Sequence, residues 1–244
     1  MLFLGSNFKT IKTNNMKKLI LSFAVIAVAF SANAQNVFGL QAGANFATFK
    51  AKDGNDEEKS KSKIGLIIGA LADIDFGNSV SFRPELNFIQ KGGEMESSST
   101  STGITTKSNS KLQMSYIQLS PNFVYNFAAG TGKFFIGVGP EFSFGVGGKF
   151  KDETTVTGGG LNESESTTVD VKFDGKKDAS DNNIHFKGFD LGANALAGYK
   201  LSNGAFISAG YTVGIQNISP ETNSSFKNNG FNVKIGFMFG GAKK

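Results

Sequence analysis

After residue 35 the sequence alternates, stretch after stretch, between an apolar side chain and one that is glycine, amide, hydroxyl or charged. A period of two belongs to the β-strand, whose successive side chains point to opposite faces. In the first stretch Phe38, Leu40, Ala42, Ala44 and Phe46 share one face, and Gly39, Gln41, Gly43 and Asn45 share the other. The same pattern runs through residues 66–76, 80–88, 117–127, 134–146, 189–199, 205–215 and 231–239. Eight strands are predicted.

The connections decide what the strands build. Residues 77–79, 128–133 and 202–204 are short turns, whereas 50–63, 92–111, 147–185 and 219–230 are long and polar. Short turns at one end and long loops at the other mark a transmembrane β-barrel, and a soluble sandwich or barrel has no reason to keep that rhythm. The two faces differ in the same sense. One is nearly free of charge and suits lipid, while the other collects Asp73, Asp75, Arg83, Glu85, Glu141, Asp190, Lys200 and Lys234. That is too many charges for a dry core unless they pair or meet water. A soluble lipocalin-like carrier would be built the other way round, apolar within and charged without. The expected fold is all-β: an eight-stranded antiparallel up-and-down transmembrane β-barrel with short periplasmic turns and long extracellular loops. A barrel of this size is filled largely by its own side chains, so many inward glycines are expected; the chain has 31.

The tight turn at 77–79 sets a register. Pairing Phe76 with Val80 places Asp75 against Ser81, Ile74 against Phe82 and Asp73 against Arg83, the only arginine in the chain. Glu85 follows one inward step along the same strand. With Glu141, these residues form a predicted lumen-facing polar network: Asp73, Arg83, Glu85 and Glu141. It reads as a side-chain plug rather than as the charged constriction of a conducting pore. Pro84, Pro121 and Pro140 fall inside predicted strands, where each removes a donor. Pairing Phe127 with Phe134 sets Pro121 across from Pro140, and a bulge is expected there.

Ahead of the strands, the segment from Met16 reads MKKLILSFAVIAVAFSANAQ. Two lysines, an apolar run over 19–30 and the small residues Ala32 and Ala34 make an export signal, with cleavage expected between Ala34 and Gln35. The apolar run is too short to span a bilayer, which takes about 20 residues. The expected division is a signal peptide over 1–34 and one barrel domain over 35–244, with Met16 an alternative start. Four of the 25 basic residues lie in this leader, which has no acid, leaving 21 bases against 20 acids. That near balance removes the case for nucleic-acid binding. The chain has no cysteine and one histidine, so neither a disulfide framework nor a thiolate metal site is available.

The stretches FGLQAGANFATF at 38–49, RPELNFIQKGGE at 83–94, YIQLSPNFVYNF at 116–127 and FFIGVGPEFSFG at 134–145 come in an order that resembles a known family. It is the small outer-membrane β-barrel family of Bacteroidota, porin-like or PorT-like, and the resemblance covers the chain after the leader. It implies an eight-stranded barrel in the outer membrane of a Gram-negative bacterium, with no catalytic residue, cofactor or metal ligand to carry over. Outer-membrane lipid and lipopolysaccharide are the implied surroundings. The last strand, FNVKIGFMFG, resembles a signal for the barrel-assembly machinery, although GGAKK follows it in place of the usual aromatic end.

Other chemistry is thin. His185, at the end of the longest loop, has no positioned partner in the sequence and is expected to be solvated rather than catalytic. Asp53, Asp56, Glu57 and Glu58 lack the spacing of a calcium loop and run directly into Lys59, Lys61 and Lys63, which marks a solvated mixed-charge segment. Gly158, Gly159 and Gly160 read as a turn. On either side of it, residues 154–157 and 166–173 alternate as strands, which predicts a hairpin projecting beyond the membrane. Its edge offers pairing to a partner strand, a self-contained loop being the simpler expectation. The functional expectation is a non-enzymatic outer-membrane barrel with a structural, adhesive or narrow-conduit role. A barrel enzyme acting on outer-leaflet lipid and a soluble periplasmic carrier are the alternatives.

Overall fold

The structure, a computed structural model, describes residues 36–177 and 181–240. The leader, its cleavage site at Ala34 and Gln35, and the last four residues lie outside the described residues. The strands are β1 (Asn36–Asp53), β2 (Asp56–Lys59), β3 (Lys63–Asp75), β4 (Val80–Ser101), β5 (Ile104–Ala129), β6 (Gly132–Gly158), β7 (Leu161–Lys172), β8 (Ile184–His185), β9 (Phe189–Lys200), β10 (Ala205–Gly214) and β11 (Ser224–Phe239). Eight of them close a ring in the order β5, β4, β3, β1, β11, β10, β9, β6, with β6 returning to β5. Every pairing in the ring is antiparallel. Closure removes the sheet edges that an open sheet would leave unpaired.

The β3–β4, β5–β6 and β9–β10 turns lie at the end where β1 begins and β11 finishes, with Phe38 paired to Phe239. The first of these turns takes three consecutive left-handed residues, Gly77 (φ 81°), Asn78 (φ 51°) and Ser79 (φ 68°). It holds the register expected from sequence, with Asp75 opposite Ser81 and Ile74 opposite Phe82. Around the wall the apolar face looks outward: Leu40 is 59 % exposed and Ile235 63 %, and Leu66, Ile136, Ile207 and Phe237 continue the belt. So much bare apolar surface on a folded chain marks a surface made for lipid.

The long connections are themselves largely strand. β4 and β5 stay paired out to Ser101 and Ile104, and β6 and β7 to Gly158 and Leu161, so four strands continue beyond the ring as one sheet. This projecting blade is capped by turns at Thr102 and Gly103 and at Gly159 and Gly160, all with positive φ. The hairpin expected around the glycine triplet is present.

The prolines correct one expectation. Pro84 pairs directly with Pro121, and Pro121 lies level with Pro140, because the register is the same at Leu119–Phe142 and at Phe123–Val138. Three adjacent strands thus carry a proline at one depth, yet no bulge occurs there. The register shift between β5 and β6 comes at Ser115 and Tyr116, where Ser115 faces Gly147 and Tyr116 faces Gly145. Val146 is the extra residue, and Gly147, with φ 154°, absorbs the kink. The shift falls where the wall of the barrel becomes the blade.

Candidate functional site

The interior is the obvious place to look, because every polar face of the ring converges on it. Near the short-turn end Leu71, Val124, Phe135, Leu196, Phe206 and Met238 form an apolar layer. Against it sits Arg83, 1 % exposed, whose Nη2 donates to Asp73 Oδ2 at 2.8 Å and whose guanidinium lies 4.4 Å from the centre of the Phe135 ring. Lys200 Nζ stands 3.6 Å from the same Asp73 oxygen. Deeper in, Glu85 accepts from Lys234 Nζ and from Gln41 Nε2, the latter at 2.8 Å. Gln41 also donates to Asn87 Oδ1 at 2.8 Å. Nearer the blade, Lys91 Nζ donates to Ser143 Oγ and Asp190 Oδ2, both at 3.1 Å, and Asn228 Nδ2 donates to Asp190 Oδ2 at 3.0 Å. A second apolar layer, including Phe49, Met114, Tyr116, Phe186 and Ile218, closes the top.

All four residues of the predicted network are buried inside. Asp73 and Arg83 meet each other, whereas Glu85 takes Lys234 as its ion-pair partner. Glu141 stands apart: it accepts from Thr212 Oγ1 at 3.0 Å, has no ion-pair partner among the described residues, and leaves its Oε2 without a hydrogen bond. Arg83, Lys91, Lys200 and Lys234 face Asp73, Glu85, Glu141 and Asp190, so cations and carboxylates balance within the lumen. A cavity of about 10 Å³ lies within the polar layer between Glu85, Gln118, Glu141 and Asn232, about the least that holds one water.

Two lumen asparagines lie beside the proline row. A proline removes a ladder donor and leaves a carbonyl on the neighbouring strand without its partner. Asn194 Nδ2 donates to Gly139 O and Asn122 Oδ1, both at 3.1 Å, and Asn122 Nδ2 donates to Ser120 O at 3.2 Å. These amides sit beside the proline level, where pairs are missing from Ser120 to Asn122, and the register is the same on either side of the gap.

At the blade end the expectation for His185 is overturned. Its side chain is 5 % exposed, with Nδ1 2.6 Å from Asp174 Oδ1 and Nε2 2.7 Å from Asp181 Oδ1. Lys172 Nζ backs Asp181 at 2.7 Å. The segment after β7 folds back on itself, so partners far from obvious in the sequence arrive on both sides of the ring. Both nitrogens face carboxylate oxygens and must donate, so the imidazolium is favoured and no lone pair is left to take a proton from a nucleophile. Asp174, then Asp181, hold the His185 pKa above the ordinary 6.5. Lys172, then His185, hold Asp181 below the usual carboxylate range, and His185 holds Asp174 below its 3.8.

The pH dependence follows from these signs. The raised histidine stabilises the clamp fully below pH 6.5 and loses that contribution as pH climbs through its folded value; the depressed aspartates contribute above pH 3.8 and lose theirs on acidification. The clamp is therefore tightest between those limits. In a proton NMR titration the imidazole midpoint is expected above 6.5, with Asp174→Asn lowering it more than Asp181→Asn. A midpoint at or below the ordinary value would mean that the clamp does not form.

The acidic stretch lands beside an open cleft of about 800 Å³ at the mouth, where Asp53, Asp56 and Glu58 stand across from Phe186 and Thr222. Glu57 points elsewhere, 4.0 Å from Lys50. Among the described residues no group of histidine, cysteine and carboxylate side chains is arranged to hold a metal ion.

Residues 33–220 match the model of a family described as outer membrane protein beta-barrel domain. No curated protein matches the sequence. Among solved structures, the attachment invasion locus protein Ail of Yersinia pestis is similar at 14 % identity and a TM-score of 0.35, over 84 % of this chain and 99 % of that one. Neisserial surface protein A is similar at 15 % identity and a TM-score of 0.38, over 83 % and 97 %. The N-terminal β-barrel domain of Pseudomonas aeruginosa OprF is similar at 13 % identity and a TM-score of 0.27, over 85 % and 100 %.

Proposed function

This chain belongs to the outer membrane protein beta-barrel domain family and resides in the outer membrane of a Gram-negative bacterium; from that premise we propose that it is a closed, non-enzymatic anchor whose work is to hold the extracellular blade at the cell surface. The observation that carries this reading is the filled lumen. A conduit needs a continuous void, and here two buried apolar layers bracket a polar layer of largely paired charges whose cavity between Glu85 and Glu141 holds about 10 Å³. An eight-stranded wall leaves little room for anything wider. With the interior spent on stability, the surface left for an adhesive or structural role is the blade.

The same reading assigns the remaining surroundings. Lipid and lipopolysaccharide cover the outward apolar belt, and β11, with Phe231, Phe237 and Phe239 pointing outward, is the strand offered to the assembly machinery. A lipid-modifying activity centred on His185 is disfavoured, because an imidazolium held by two carboxylates is no general base.

Conductance tests the proposal directly. The purified protein in planar bilayers is expected to give little or no steady current. Large ohmic channels from the wild type would sink the closed-anchor reading.

A further inference from the structure

The blade has two side edges, and they are not alike. On the β4 side, Lys61 bridges Glu94 through both backbone groups and its Nζ reaches Glu96, so only Ser97–Ser101 is left open. On the β7 side, strand pairing joins β7 to β6 without interruption from Leu161 to Val171, whereas β8 touches its outer edge only at Val171 and Lys172. Among the described residues nothing pairs with the outer edge of residues 161–170. Ten extended residues present a row roughly 33 Å long of unpaired backbone donors and acceptors.

Such an edge invites a strand, and proteins usually blunt it with proline, lysine, a bulge or short length. Residues 161–170, LNESESTTVD, contain no proline, glycine or lysine, and their pairing to β6 has no bulge. What the edge does carry is negative charge on one face. Glu163 and Glu165 lie across from Val156 and Thr154 of β6, so no base stands opposite either carboxylate. Both are exposed, and neither is in an ion pair among the described residues.

These charges select the occupant. Two copies meeting edge to edge in antiparallel fashion would bring acidic edges together, which is unfavourable, and the open part of the β4 edge offers only serine and threonine in return. We propose that the outer edge of β7 binds an extended segment of another protein as an added strand, and that the segment recognised carries lysine or arginine at every second position. Backbone pairing supplies the binding, and the alternating bases facing Glu163 and Glu165 supply the selectivity. The inference rests on the blade being the working surface of the molecule, and it adds the chemistry of the partner.

The test uses the full protein in lipid nanodiscs and a labelled ten-residue probe alternating lysine and threonine, with its glutamate–threonine counterpart as control. Saturable binding of the lysine probe alone is expected, weakened roughly tenfold by E163Q and E165Q together. Proline is then placed singly at Ser164, Glu165, Ser166 and Thr167. Successive N–H groups of an edge strand point alternately to the partner strand and outward. Alternate variants should therefore lose the probe while the hairpin keeps its circular dichroism, and the intervening ones should lose the hairpin as well. No saturable binding overturns the proposal. Binding that survives every proline shows plain electrostatic adsorption and overturns it equally, as does concentration-dependent self-association through this edge, which would make a second copy the occupant. A protein that does not conduct and does not bind the probe refutes only this inference, and one that conducts yet binds it refutes only the closed anchor.

Discussion

Arg83→Ala lowers the stability of the folded barrel by roughly 3 to 5 kcal/mol, read as a fall in the urea midpoint of the protein in detergent or lipid. The guanidinium is almost fully buried and pairs with Asp73 at 2.8 Å. Removing it strands a carboxylate in the lumen, empties the space over Phe135 and takes away the ring's cation. Lys200, 3.6 Å from Asp73, recovers part of the loss, so the double variant Arg83→Ala with Lys200→Met should be worse than the single one. Adding Asp73→Asn to Arg83→Ala should restore some stability, because the uncompensated charge goes with it. If Arg83→Ala is as stable as wild type, the buried pair is not formed.

Gly43→Val should be more damaging still, preventing the chain from closing into a heat-modifiable barrel on a gel. Gly43 lies on the inward face of β1, between Ile67 of β3 and Lys234 of β11. A Cβ built there would stand 2.0 Å from Val233 O and 2.8 Å from Lys234 Cα. Those are backbone atoms of a paired strand, so no rotamer change relieves the clash and the β1–β11 seam must part. Overpacking a core usually costs about 1 to 3 kcal/mol, and a collision with the ladder itself should exceed that range. Ala42→Val, one residue away and pointing into lipid, is the control and should assemble normally. Normal assembly of Gly43→Val would show that the seam is looser than the structure has it.

How much of this is written in the sequence depends on whether a strand has two different faces. Within the ring it does, and the alternation of Phe38 through Phe46 is enough to place β1, while the short turn at Gly77 is enough to bring Asp73 to Arg83. Lys91 lies beyond Phe88, where the apolar alternation of the third stretch stops; the inward period nevertheless passes through Ile89 to Lys91, which meets Asp190. In the blade both faces meet water, so residues 92–111 show no apolar period and read as loop, although they pair throughout. The prolines lack donors and therefore point to a bulge at their own level. Its true place, at Val146 and Gly147, carries no mark in the sequence beyond one more glycine in a glycine-rich strand. The partners of His185 are hidden too: Asp174 and Asp181 meet the ring only after the segment folds back.

The length of the strands has a mechanical consequence. β5 and β6, of 26 and 27 residues, run without a break from the periplasmic turn through the wall to the tip region of the blade. A pull on the blade along the barrel axis is carried by the covalent backbone straight into the membrane-embedded ladder. There it loads many inter-strand hydrogen bonds side by side, in shear, rather than opening them one after another like a zipper. Along the β5–β6 seam the ladder is interrupted at the proline level, within the wall, and its register shifts only at the kink at Gly147, where the wall becomes the blade.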